Sequence, residues 1–189
     1  MNSAAIPALV EDCYGDDRWM CMHKRFLIEA KEREPEVVLI GDFTVAMLSH
    51  TEVIILSVGA NNYENTAKEV VEGIHACLTA IRSYHPKAQI VVLKLFPCGQ
   101  HLNPVREKIN QINNLLEAQV KSLSNIQVVN LDPGFVQTDG TINHHDLYDY
   151  QHLTRTAYMQ AFRPLSDLIQ QLIREITLAV VETPTLPDE

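Results

Sequence analysis

The chain is short of basic residues, with 15 Lys and Arg against 24 Asp and Glu and a formal charge of −9. A surface of that sign repels phosphate, which excludes non-specific binding to nucleic acid or anionic membrane. It lacks any apolar stretch near the ~18 residues that a membrane span needs. No apolar run follows a basic start, so no signal peptide is expected. It also lacks paired cysteines. Cys13, Cys21, Cys77 and Cys98 form no C-x-x-C motif and no disulfide framework, the usage of a reduced, cytoplasmic protein. Internal repeats are absent, so solenoid and propeller folds drop out.

What is present suits one domain. The 189 residues are 46% hydrophobic and 21% charged, enough for a full core. Met1 to Asp17 shows no periodicity and reads as a flexible arm. A helix is expected from about Arg18 to Glu32, with Trp19, Met22, Phe26 and Ala30 on one face, ended by Glu34-Pro35. Val37 to Ile40, Val53 to Val58, Ile90 to Leu95 and Ile126 to Leu131 are apolar runs of strand length. Between them lie helical patterns. Thr66-Ala67-Lys68-Glu69 is a capping box that opens a helix burying Ala67, Val70, Val71, Ile74, Leu78 and Ile81. Pro104 opens the next, with Val105, Ile109, Ile112, Leu116, Val120 and Leu123 inward. A polar loop from Asp132 to Gln151 precedes a last helix from Thr154 to about Glu182, bent at Pro164. Residues 183–189 read as a disordered tail. Alternating strands and helices predict a parallel three-layer α/β/α sandwich spanning 18–182.

One connection is too short. Only Asp42 to Glu52 separate the first two strands, where parallel neighbours need a crossover of about a dozen residues or more. After turns, about seven residues of helix would cover only ~10 Å. A five-residue strand is ~17 Å long, so a helical return falls short. Extended chain at ~3.3 Å per residue can make the trip. The crossover is atypical, or an element is missing.

Gly41-Asp42 at the end of the first strand is where the Gly-Asp-Ser esterases, the SGNH hydrolases, carry their nucleophile. Further segments narrow the likeness. Gly15-Asp-Asp-Arg-Trp19 with His23-Lys-Arg-Phe26, Pro35 to Asp42, Gly99-Gln-His-Leu-Asn-Pro-Val-Arg-Glu-Lys108, and Asp132-Pro-Gly-Phe-Val-Gln-Thr-Asp-Gly-Thr-Ile-Asn-His-His-Asp146 onward resemble the catalytic α subunits of cytosolic platelet-activating factor acetylhydrolase 1B. The resemblance covers about residues 12 to 176. It implies a flavodoxin-like hydrolase sheet and a Ser-Asp-His triad that removes short acyl groups from phospholipids, without metal or cofactor. Carried over residue by residue, it assigns the triad acid to Asp149, the base to His152 and an oxyanion donor to Asn61. The nucleophile position holds Phe43, which has nothing to attack with. The block carrying the family's second strand and its oxyanion glycine has no counterpart, and would fall between Ala46 and Glu52. The resemblance further implies a homo- or heterodimer with another α-type subunit. In complexes of the family it also implies a WD40-repeat β subunit, the lissencephaly protein that regulates dynein.

The chemistry follows from those residues. An acyl-transfer site needs a hydroxyl or thiol beside a base, and donors aimed at the oxyanion. Asp149-x-x-His152 suits an orienting carboxylate and its imidazole. Without a serine, the imidazole has nothing to activate. Thr44 and Ser49 are the substitutes to weigh, but a one-residue shift swings Thr44 away from its neighbour's direction. Asn61 can donate to an oxyanion or merely shape its turn, and Asp42 reads as a scaffold residue of the Gly-Asp turn. His144-His145-Asp146 with Asp149 and His152 looks only superficially like a metal set. Cys98 replaces an arginine usual in the family and reads as a loop thiol. The reading is a structural or regulatory homologue without esterase activity. Its alternatives are an esterase with another nucleophile and a shortened, non-functional isoform whose first strand is left as an exposed edge.

Overall fold

The computed structural model describes residues 21, 24, 25, 28, 37–41 and 52–181. Four strands form one parallel sheet: β1 (Val37–Gly41), β2 (Val53–Ser57), β3 (Gln89–Leu93) and β4 (Ile126–Val129). They lie in the order β1-β2-β3-β4, so each strand pairs with its neighbours in sequence. Registers are unbroken, with Val37 opposite Val53, Ile54 opposite Ile90 and Val92 opposite Val128. β1 and β2 are thus parallel neighbours joined by residues 42–52 alone. That connection is as short as the sequence indicates.

Three helices follow the described strands: α1 (Ala67–Tyr84), α2 (Pro104–Val120) and α3 (Arg155–Val181). α1 begins as expected. The Thr66 hydroxyl accepts from the Glu69 amide, and the Glu69 carboxylate accepts from the Thr66 amide, which satisfies two amides the helix leaves open. Asn103 caps α2 by accepting from the Arg106 amide, with Pro104 at the first helical position, where no N–H is needed. Thr154 caps α3 through its hydroxyl, which accepts from the Ala157 amide. α3 runs unbroken through Pro164. Among these described elements, the boundaries fall within about two residues of their expected places, save the end of α2. There Leu123 lies beyond the helix, in a turn where its amide donates to Val120.

Strand side chains alternate between two faces, and both are covered. On one face Ile54, Leu56, Ile90 and Val92 pack with the buried sides of α1 and α2. On the other, Val53, Ile55, Val91 and Leu93 pack with Leu165 and Leu172 of α3. Val53, Ile54, Ile55 and Leu56 are at most 1% exposed. Burial of each such side chain stabilises the fold by ~1.5–3 kcal/mol. This is the predicted three-layer sandwich. A third cluster, Phe135, Ile142, Leu147, Ala157 and Ala161, lies beneath the loop that leads into α3.

That loop, rich in Gly, Asp, Asn and His, is held by its own side chains. Carboxylate or amide oxygens of Asp132, Asp139, Asn143 and Asp149 each accept from a backbone amide two residues on. These are Asx turns, in which the side chain replaces a backbone acceptor. Antiparallel bridges Val136–Ile142 and Leu147–Leu153 close two small lobes. Its Asp and Asn content builds structure. Before β1, Cys21, Lys24, Arg25 and Ile28 are helical and exposed. They share one helical face, opposite the expected apolar face of Trp19, Met22 and Phe26, which lies outside the described residues. So do the arm, the tail, Phe43, Thr44 and Ser49.

Candidate active site

In an open parallel α/β sheet, ligands bind beyond the carboxyl ends of the strands. Among the described residues, Asn61, Asp149 and His152 lie on that side. Position 43 lies two residues past the end of β1, whose Gly41 pairs with Ser57 of β2. Asn61 follows β2 by four residues, in a turn entered through Gly59. That glycine has φ of 110°, and a Cβ on it would lie 2.9 Å from Val70. Asp149 and His152 come from the loop between β4 and α3.

Asp149 and His152 are joined as the spacing indicates. Asp149 Oδ2 lies 2.7 Å from His152 Nδ1. Asp149 Oδ1 accepts from the backbone amides of Gln151 and His152, at 3.0 and 2.7 Å. The His152 side chain, then its backbone amide, hold the Asp149 carboxyl down at about 2. A carboxylate kept ionised can only accept, so it selects the tautomer with hydrogen on Nδ1 and leaves Nε2 as the basic nitrogen. Tyr148 stacks on the imidazole, ring centroids 5.9 Å apart. A carboxylate and an imidazole joined in this way are the arrangement that the orienting and base roles of an acyl-transfer site require.

Asn61 is held less closely. Its carbonyl accepts from the Tyr63 amide, while among the described residues its side-chain amide makes no hydrogen bond. The turn carrying it is fixed by Lys108, whose ammonium donates to the carbonyls of Asn62, Tyr63 and Asn65 at 2.9–3.2 Å. A side-chain bond joins the two sides: Gln151 Nε2 donates to the Tyr63 hydroxyl at 2.7 Å. The Asn61 turn and the Asp149–His152 loop are therefore adjacent.

Lys108, Tyr63, Gln151 and the buried Arg106 escape a reading of the sequence. Arg106 carries the one usable signal, since a cation in the first turn of a helix opposes the helix dipole and needs another reason to be there. The His144 and His145 rings lie 4.0 Å apart, tilted by 38°, yet among the described residues no group of three or more His, Cys, Asp or Glu is arranged to hold a metal. Cys98 is half-buried, and burial pushes its thiol above the usual range, away from reactivity. No described helix is long and apolar enough to cross a membrane.

The fold has solved counterparts. A platelet-activating-factor protein from Streptococcus pneumonia aligns over 82% of this chain and 99% of its own, with TM-score 0.61 at 14% identity. A GDSL-like lipase from Bacteroides ovatus aligns over 66% of this chain and 37% of its own, with TM-score 0.53 at 19% identity. At such identities they show the fold alone, an α/β sandwich. No family model matches the chain.

Curated relatives define the family. Platelet-activating factor acetylhydrolase IB subunit alpha2 of Gallus gallus is 38% identical over 213 positions, covering 92% of this chain and 93% of its own. The Homo sapiens alpha2 subunit is 37% identical and the Rattus norvegicus alpha1 subunit 36%, with coverage of 92–93% throughout. The chain belongs to the family of platelet-activating factor acetylhydrolase IB alpha subunits. The aligned span also exceeds what this chain supplies. It covers 213 positions, whereas 92% of 189 residues is about 174, so about 39 positions of the relatives face a gap here.

Proposed function

We propose that this chain is an alpha-type subunit that has lost ester hydrolysis and acts as a structural or regulatory member of its complexes. The observation that carries the reading is Phe43 in the sequence position of the nucleophile, in a chain that keeps the Asp149–His152 pair. Phenylalanine offers no hydroxyl or thiol for an oriented base to deprotonate.

A second loss compounds the first. The 11-residue connection between parallel β1 and β2, together with a gap of about 39 positions, supports deletion of the family's second strand, its helix and the oxyanion glycine between Ala46 and Glu52. Removing the second strand from a 2-1-3-4-5 flavodoxin-like sheet leaves 1-3-4-5. In chain order that is the arrangement observed. The relatives are named as subunits, which supports a multi-chain complex; the partners proposed from the family resemblance are a second alpha-type chain, as homo- or heterodimer, and the WD40-repeat β subunit. The proposed place of action is the cytoplasm, with no cofactor.

The test combines hydrolysis of short p-nitrophenyl esters with sedimentation of the purified chain. No hydrolysis above buffer from a species of dimer mass is expected. Turnover abolished by His152→Ala would overturn the reading and favour an active esterase using Thr44 or Ser49. Heterogeneous aggregates with a broad melt would favour a non-functional isoform.

A further inference from the structure

Asp149 reaches three hydrogen atoms at once because the backbone turns sharply behind it. Tyr150, the next residue, has φ of 59°, in the left-handed region that a side chain with a Cβ avoids. Such a conformation persists where its surroundings over-determine it. One constraint is direct: the Gly99 amide donates to the Tyr150 carbonyl at 2.6 Å. Gly99 is itself fixed. Its φ is 83°, and a Cβ on it would lie 2.0 Å from the Asn103 side-chain amide.

Arg106 fixes Gly99. Its side chain is 3% exposed and finds no carboxylate partner among the described residues. Instead Nε donates to the Cys98 carbonyl at 3.0 Å, one terminal nitrogen to the Gly140 carbonyl at 2.7 Å, and the other to the Gly99 carbonyl. A buried guanidinium left without these acceptors would cost far more than an ordinary hydrogen bond. The three carbonyls therefore cannot drift from it. The neighbouring Ile142 amide donates to the Gln100 carbonyl at 3.0 Å, tying the same segment to the loop before Asp149.

We infer that Arg106 is a positioning residue. Through Gly99 and the left-handed Tyr150 it holds the Asp149 carboxylate against His152 and so fixes the imidazole tautomer. The inference does not depend on whether the chain hydrolyses esters, and its readout needs no nucleophile.

The experiment is nitrogen NMR of the imidazole in the full chain, above imidazole titration, with His152 assigned by its own substitution. The parent should show hydrogen on Nδ1. Arg106→Gln should lower the ratio of Nδ1–H to Nε2–H by about tenfold, the scale of one lost charge-assisted hydrogen bond. Arg106→Lys should fall between the two. Leu78→Ala, in the core of α1, should lower the melting temperature without moving the ratio. If Arg106→Gln does not fold, Gly99→Ala decides, and should move the ratio in the same direction. Tyr150→Gly, which accepts a positive φ and keeps the carbonyl, should resemble the parent. An unmoved ratio in the folded Arg106 or Gly99 variants would overturn the inference. So would an equal shift in Leu78→Ala.

Discussion

The two sides of the candidate site are built differently. On the acid–base side, one Asp149 oxygen meets the imidazole and the other meets two amides, and the turn behind them is held by Gly99 and Arg106. On the nucleophile side, Asn61 is exposed with an amide that makes no hydrogen bond among the described residues, and the sequence has phenylalanine at position 43. Orientation of a base is an architectural property, maintained by many atoms. Nucleophilicity resides in one. A single substitution can therefore remove the reaction while the machinery that aims the imidazole stays whole.

The comparison can be broken on the acid–base side first. In a Phe43→Ser background, Asp149→Asn should slow acylation by about 10⁴-fold, the scale seen when a triad carboxylate is replaced and the tautomer reverses. Its pH signature has a definite sign. The folded carboxyl lies at about 2, below its ordinary 3.8, so the stability contributed by Asp149 is present above pH 3.8 and lost as pH falls toward 2. Melting temperatures of the parent and Asp149→Asn should differ near neutrality and converge over that interval. Leu147→Ala comes next in size. Leu147 is 0% exposed beneath the acid–base loop, and its truncation should cost about 2–5 kcal/mol in denaturant unfolding.

On the other side the effects shrink. Lys108→Met removes three carbonyl contacts from a half-buried ammonium and should cost about 1 kcal/mol. Asn61→Ala should change stability by less than about 0.5 kcal/mol, since the side chain is exposed. In the Phe43→Ser background, however, the same change should slow acylation by about 10²–10³-fold if Asn61 donates to the oxyanion. A change below threefold would assign Asn61 to the turn alone.

Legibility in the sequence followed the range of the interaction. β2 and β3 announce themselves because both faces are covered, leaving four consecutive apolar residues in each. The α1 cap is local, three residues from end to end. Asp149 and His152 are also three apart, so their contact needs no long-range information. Arg106 is 34 residues from Gly140, and Lys108 lies 45 from Tyr63. Nothing local in either stretch signals that pairing. The 132–151 loop misleads in the opposite direction, because residues that suggest a solvated loop supply the side-chain acceptors of its turns.

The central claim is that the Asp149–His152 pair is able to act and that Phe43 leaves it without a nucleophile, and fluorophosphonate labelling tests it most directly. The purified chain and its Phe43→Ser variant are treated side by side, with melting curves on both samples. The account predicts no labelling of the natural chain and labelling of the serine variant that is lost on His152→Ala. Labelling of the natural chain, abolished by His152→Ala, would contradict it and show that this alpha subunit hydrolyses through another nucleophile.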